Sequence, residues 1–149
     1  MSSPEDLERL GLSLVLMARR YRKEMDAIFA GEELSEATSL PLRFLVREDR
    51  ILRQKDLAEL LDIEGPTLVR VLDTLVARGF VRRTEDPDDR RAKLVSVTHA
   101  GRAYLASLGE VLTALRTELF AGIPEDDVAA TLRLLGQLEA NIAARRKDG

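Results

Sequence analysis

The 149-residue sequence has no cysteine. That removes disulfide scaffolds, thiolate metal sites, cysteine nucleophiles and cysteine-based redox switches together. It has one histidine, His99, which excludes a poly-histidine metal site and makes a Ser-His catalytic pair hard to build. The longest unbroken apolar run is Leu14 to Ala18, far short of the roughly 20 residues of a membrane-spanning helix. The opening MSSPEDLERL is acidic and lacks the basic-then-apolar order of a secretory signal. A cytoplasmic protein without membrane association is expected. Internal repeats, low-complexity tracts and Gly/Ser linkers are missing too, as are a Gly-rich phosphate loop, a nucleophile–base pair and metal-ligand spacing. Neither an enzyme nor a bound cofactor or metal is expected.

What is present is a composition of 45% hydrophobic and 33% charged residues, enough for one domain over 1–149 with its own core. The net charge of −3 hides a gradient: −4 over residues 1–64, +3 over 65–102 and −2 over 103–149. A positive excess confined to the middle is the distribution that a phosphate-contacting surface needs.

From Glu5 to Ala30, Leu7, Leu10, Leu14, Met17, Tyr21, Met25 and Ile28 recur at spacings of three and four, which predicts a helix. Pro4 stands near its first turn and Gly31 just past its end. Leu12, Val15 and Leu16 widen the stripe, so this helix needs neighbours on two sides, one of them in another subunit. Leu40, Leu42, Leu45 and Val46 predict a second helix from Ser35, with Pro41 tolerable only near its start. Leu57, Ala58, Leu60 and Leu61 mark a short third helix. After a turn at 62–65, Pro66 opens a fourth, on which Leu68, Val71, Leu72 and Leu75 follow the helical period until Gly79. Two short helices joined by such a turn are a helix-turn-helix signature. Phe80–Thr84 and Ala92–Thr98 are β-prone and flank the turn EDPDDRR, which predicts a two-stranded hairpin. Thr98 then caps a long helix to about Phe120, broken by Gly122 and Pro124. A last helix carries Val128, Leu132, Leu135, Leu138 and Ile142. Long apolar-striped helices at both ends point to a helical dimer interface.

The fourth helix presents Thr67, Arg70, Thr74 and Ala77 opposite its apolar stripe, a short polar and basic face suited to a DNA major groove. Pro66 and Leu68, near its start, are candidates for apolar base contacts. The hairpin places Arg90, Arg91 and Lys93 on a narrow ribbon, where an arginine can enter a minor groove of focused negative potential. One of the neighbouring aspartates is expected to pair with an arginine and direct it.

The stretch DLAELLDIEGPTLVRVLDTLVARGFVRRTEDPDDRRAKLVSVTHAGR resembles the winged helix-turn-helix of the MarR family of transcriptional regulators, and its SlyA branch in particular. IEGPTLVRVLD and DDRRAK carry most of the likeness. The resemblance implies a mainly α fold with a small β-hairpin. In it a winged lobe at 35–98 sits between dimerisation helices at 5–30 and 99–146. It implies a homodimer on a pseudo-palindromic operator in double-stranded DNA. Pro66, Thr67, Leu68, Arg70 and Thr74 fall in the major groove, Arg90, Arg91 and Lys93 on the wing, and Asp89 braces the wing. One departure is that Arg53 stands where the family carries a Thr or Ser cap. Without that acceptor the third helix forgoes about 1 kcal/mol.

The resemblance also implies release of DNA by a small aromatic, often phenolic, effector, with Arg19, Tyr21, Arg22, Met25, Leu42 and Phe44 as candidate pocket residues. Packing is the competing reading of those six. The absence of cysteine argues against the family's peroxide sensors, and the single histidine against its zinc sensors. Whether such a regulator represses or activates stays open. The alternative function is a winged-helix dimer that serves as a protein-interaction module without DNA binding.

Overall fold

A computed structural model describes residues 1–148. Its elements are α1 (Pro4–Phe29), α2 (Glu36–Glu48), β1 (Leu52–Arg53), α3 (Gln54–Leu61), α4 (Gly65–Ala77), β2 (Val81–Asp86), β3 (Asp89–Val97), α5 (His99–Ser107), α6 (Gly109–Leu119) and α7 (Glu125–Asp148). Side-chain oxygens set several helix starts. Ser3 accepts from the Asp6 amide at 3.1 Å, and Ser35 accepts from Thr38 at 3.1 Å. Each satisfies an amide that the first turn leaves unpaired. Glycine ends α4: Gly79, at φ +74°, lets its own amide reach the Val76 carbonyl and that of Phe80 reach Leu75, both at 2.9 Å.

The chain divides into two compact units, the first ending at Val111 and the second beginning at Leu112. In the first, α2, α3 and α4 close over the sheet. Leu42 and Leu45, Leu57 and Ala58, and Leu68, Leu72 and Leu75 meet Leu34, Leu52, Phe80, Val81 and Val95 in one core. Burial of each leucine there contributes roughly 1.5–3 kcal/mol over exposure. The far end of α1 joins this unit through Met25 and Phe29, with the Arg43 guanidinium 5.8 Å over the Phe29 ring. The near end of α1 leaves Leu7, Leu12, Val15 and Met17 exposed. In the second unit none of the described side chains of α7 is buried, and Leu132, Leu134, Leu135, Leu138 and Ile142 are all exposed. Its acidic first turn and basic last turn match the helix dipole. No helix among the described residues is long and apolar enough to cross a membrane.

In its elements the fold departs from the sequence reading in four places. A third strand, β1, pairs with β3 through Leu52–Val95 and Arg53–Leu94, giving the antiparallel order β1-β3-β2. The hairpin strands run further than expected, and only Pro87 and Asp88 lie between them. The long helix after the hairpin is two helices. The Ser107 hydroxyl donates to the Tyr104 carbonyl at 2.6 Å, while the Leu108 amide turns to Leu105 at 3.1 Å. The α ladder loses its register there, just before the poor helix former Gly109. Finally, Pro41 sits inside α2 and is buried, so its lack of an amide is absorbed past the first turn.

Candidate nucleic-acid interface

The exposed face of α4 is built by elimination. Its apolar side fills the core, and Pro66, Thr67, Arg70 and Thr74 remain outside. The Arg70 side chain has no hydrogen bond or ion pair among the described residues, so all its donors are available. The Thr74 hydroxyl donates back to the Arg70 carbonyl at 3.3 Å. Leu68 corrects the sequence reading. At 0% exposure it lies in the core beside Leu72 and Leu75, and it cannot reach a base edge without unfolding the lobe. Its place in the apolar stripe outweighs its nearness to the helix start.

Asp73 shares the exposed face of α4 and would repel phosphates. Arg83 of β2 holds it in an ion pair, which lowers that repulsion and ties α4 to the wing. Arg82, next along β2, is exposed and has no ion pair among the described residues.

The wing tip is irregular. Glu85 pairs with Lys93 and Asp86 with Asp89, so Arg90, Arg91 and Ala92 have no counterpart on β2. Extra residues on one strand bend it and re-aim its side chains. Here the side chains of Arg90 and Arg91 are left exposed and without ion pairs among the described residues. Lys93 is less free, since its ammonium lies 3.5 Å from Glu85. Asp89 accepts from the Arg91 amide at 3.0 Å, a local turn bond that shapes the backbone around Arg90.

The tertiary tie is made by Asp86, one of the turn aspartates among which the sequence places an arginine partner without singling any out. It is only 4% exposed. One carboxylate oxygen accepts from the Asp88 amide at 2.9 Å and the other lies 2.8 Å from an Arg53 nitrogen. An aspartate ahead of a proline, two residues before another turn position, is the available signal for such a bond. Arg53 caps α3 with its backbone alone. Between α3 and β3 lies a groove of about 540 Å³, lined by Arg53, Lys55, Arg91 and Lys93 with Asp56, Glu59 and Asp89.

Behind the wing, Thr98 caps α5 by accepting from the Gly101 amide at 3.1 Å and donates to the Gly79 carbonyl at 2.6 Å. Phe80 stacks on Tyr104 with centroids 4.7 Å apart. His99 is exposed and takes no part in these bonds.

The proposed effector residues separate. Arg19 and Arg22 are exposed on α1, and Tyr21 is half-buried. Phe44 is also half-buried, with the Arg47 guanidinium 4.9 Å over its ring. Met25 and Leu42 correct the expectation: at 1% and 0% exposure their side chains are taken up in packing.

A sequence model of the MarR family matches residues 35–92, the span from α2 to the wing. The transcriptional regulator PA3341 is 32% identical at TM-score 0.80, over 91% of this chain and 98% of that one. The chain belongs to the MarR family. Two more distant structures share the fold. BldR from Sulfolobus solfataricus has TM-score 0.83 at 24% identity, covering 95% of this chain and 99% of BldR. A MarR variant from E. coli, crystallised with operator DNA, has TM-score 0.75 at 23% identity, covering 93% and 99%. This MarR-family chain is a winged helix-turn-helix transcriptional regulator and not an enzyme.

Proposed function

We propose that this MarR-family regulator acts as a cytoplasmic homodimer on a pseudo-palindromic operator. In this reading Pro66, Thr67, Arg70 and Thr74 enter the major groove. Arg90, with Arg91 and Lys93 beside it, takes the adjoining minor groove, and Asp89 braces the wing. One observation carries the reading. Among the described residues Arg70 and Arg90 are exposed without ion pairs, while two acids of the same lobe, Asp73 and Asp86, are each held by another arginine. Two cations are thus left free and two anions neutralised on the same lobe, which suits a polyanionic partner. The operator DNA bound by the E. coli relative supports the same partner class.

The exposed leucines of α1 and α7 support dimerisation through the terminal helices, because apolar faces of that extent normally have a partner. The wing sequence DDRRAK favours the SlyA-like branch. A small aromatic or phenolic effector would lie against Arg19, Tyr21, Arg22 and Phe44. It would act only by binding the DNA-competent and incompetent dimers with different affinity.

Selection of bound duplexes from random DNA with purified protein tests the function. Enrichment of a palindrome with half-sites about 10 bp apart supports it. Retention without sequence enrichment, or no retention at all, refutes it.

A further inference from the structure

We propose that Arg53 and Asp86 form a clasp that fixes the attitude of the wing, making Arg53 a positioning residue for Arg90. The inference rests on the DNA-binding reading above.

Arg53 lies on β1 and Asp86 on β2, the two outer strands, with β3 between them. Their ion pair at 2.8 Å therefore spans the whole sheet. It joins the residue from which α3 starts to the tip of the wing. Backbone support for that tip is thin. β1 pairs with β3 only at Leu52 and Arg53, and the β2–β3 ladder is interrupted after Glu85. A two-stranded ribbon left to itself twists and bends readily, and Arg90 lies in its irregular segment. The clasp acts at the point where the ladder fails. Asp86 is committed to this geometry, because it is nearly inaccessible and each of its oxygens already has a partner. Water cannot readily take the place of Arg53. The arginine that departs from the family's usual cap thus leaves the helix end uncapped and ties the wing to it.

The proposal makes a prediction opposite in sign to charge counting. Asp86→Asn removes a negative charge from the DNA-facing lobe and frees a cation, which by electrostatics alone tightens DNA binding. Loss of the clasp weakens it instead.

Affinity for the selected operator is measured for the full-length dimer and for Asp86→Asn, Arg53→Gln and Arg90→Ala, alone and combined, together with amide exchange over residues 85–92 without DNA. Expected are a roughly 3- to 10-fold loss for each clasp variant, no larger than the Arg90→Ala loss, and faster exchange in both. Arg90→Ala should cost less in either clasp background than in the wild type. Unchanged or tighter binding by Asp86→Asn overturns the proposal, as does full additivity with Arg90→Ala. Unchanged wing exchange overturns it too. If Asp86→Asn fails to fold, the half-exposed Arg53→Gln carries the test. A wild-type protein that binds no duplex refutes the DNA reading, and the exchange measurement then decides the clasp alone.

Discussion

Gly101→Ala is expected to damage this protein although it adds one methyl group to a helix. A Cβ at position 101 would stand 2.2 Å from the Phe80 carbonyl oxygen, 3.0 Å from its carbon and 3.1 Å from Val97 Cγ2. An ordinary carbon–oxygen contact needs about 3.3 Å, so α5 and the Phe80 peptide must separate by about 1 Å. That peptide cannot move freely, because its oxygen accepts from the Thr98 amide at 3.0 Å. Moving α5 instead strains the Thr98 cap and the Phe80–Tyr104 stack. Overpacking costs about 1–3 kcal/mol and a weakened cap about 1 kcal/mol. The better helix propensity of alanine returns up to about 1 kcal/mol. The net expectation is a destabilisation of about 1–3 kcal/mol, or a fall in Tm of roughly 3–10 °C for a chain of this size. Calorimetry or thermal circular dichroism at matched chain concentration reads it, since any self-association makes Tm depend on concentration. Gly11→Ala is the control. Its Cβ meets nothing within 4 Å, and it should be neutral or slightly stabilising. A Gly101→Ala protein that melts with the wild type, or above it, refutes the close-approach argument.

Arg70→Ala should cost about 1–3 kcal/mol on the preferred operator and little on unrelated DNA; competition titration decides, and an equal loss on all sequences refutes base reading. Leu12→Glu and Leu132→Glu place charges on the exposed apolar faces of α1 and α7. Sedimentation should show monomers for both variants, and intact dimers would refute those faces as the interface. Burial, aided by Glu32 and Glu33, holds the Tyr104 phenol above its ordinary 10.0. Its share of stability is therefore present below pH 10 and lost as pH rises through the higher folded value. Tyr104→Phe also removes the acceptor for the Leu34 amide, 3.4 Å away, so it should be less stable than wild type at pH 8. Denaturant titrations should show that gap narrowing by pH 11, and a constant gap would refute the assignment.

The helices were legible because each carries local signals of its own. Ser35, Pro66, Gly79 and Thr98 punctuate the chain where the structure turns, and the apolar period between them locates the core. β1 escaped notice because two residues, Leu52 and Arg53, are too few for any period. The break at Leu108 was hidden by apolar residues that continue the stripe across it, while the competing bond comes from the Ser107 hydroxyl. Leu68 fits two readings at once, as stripe and as base contact, and only burial separates them. By composition the EDPDDRR run is simply a turn, but its aspartates differ in surroundings. Asp89 bonds locally, whereas Asp86 owes its role to Arg53, 33 residues earlier. No local pattern reports a partnership at that separation.

The three residues outside the wing ladder have a consequence for how such a protein can change. Val81 to Glu85 keep their pairing with β3 whatever lies beyond Lys93. Lengthening or shortening the 90–92 segment by a residue would therefore change how far the arginines extend, without sliding hydrophobic side chains from one sheet face to the other. The reach of these side chains can drift here while the folded core is left untouched.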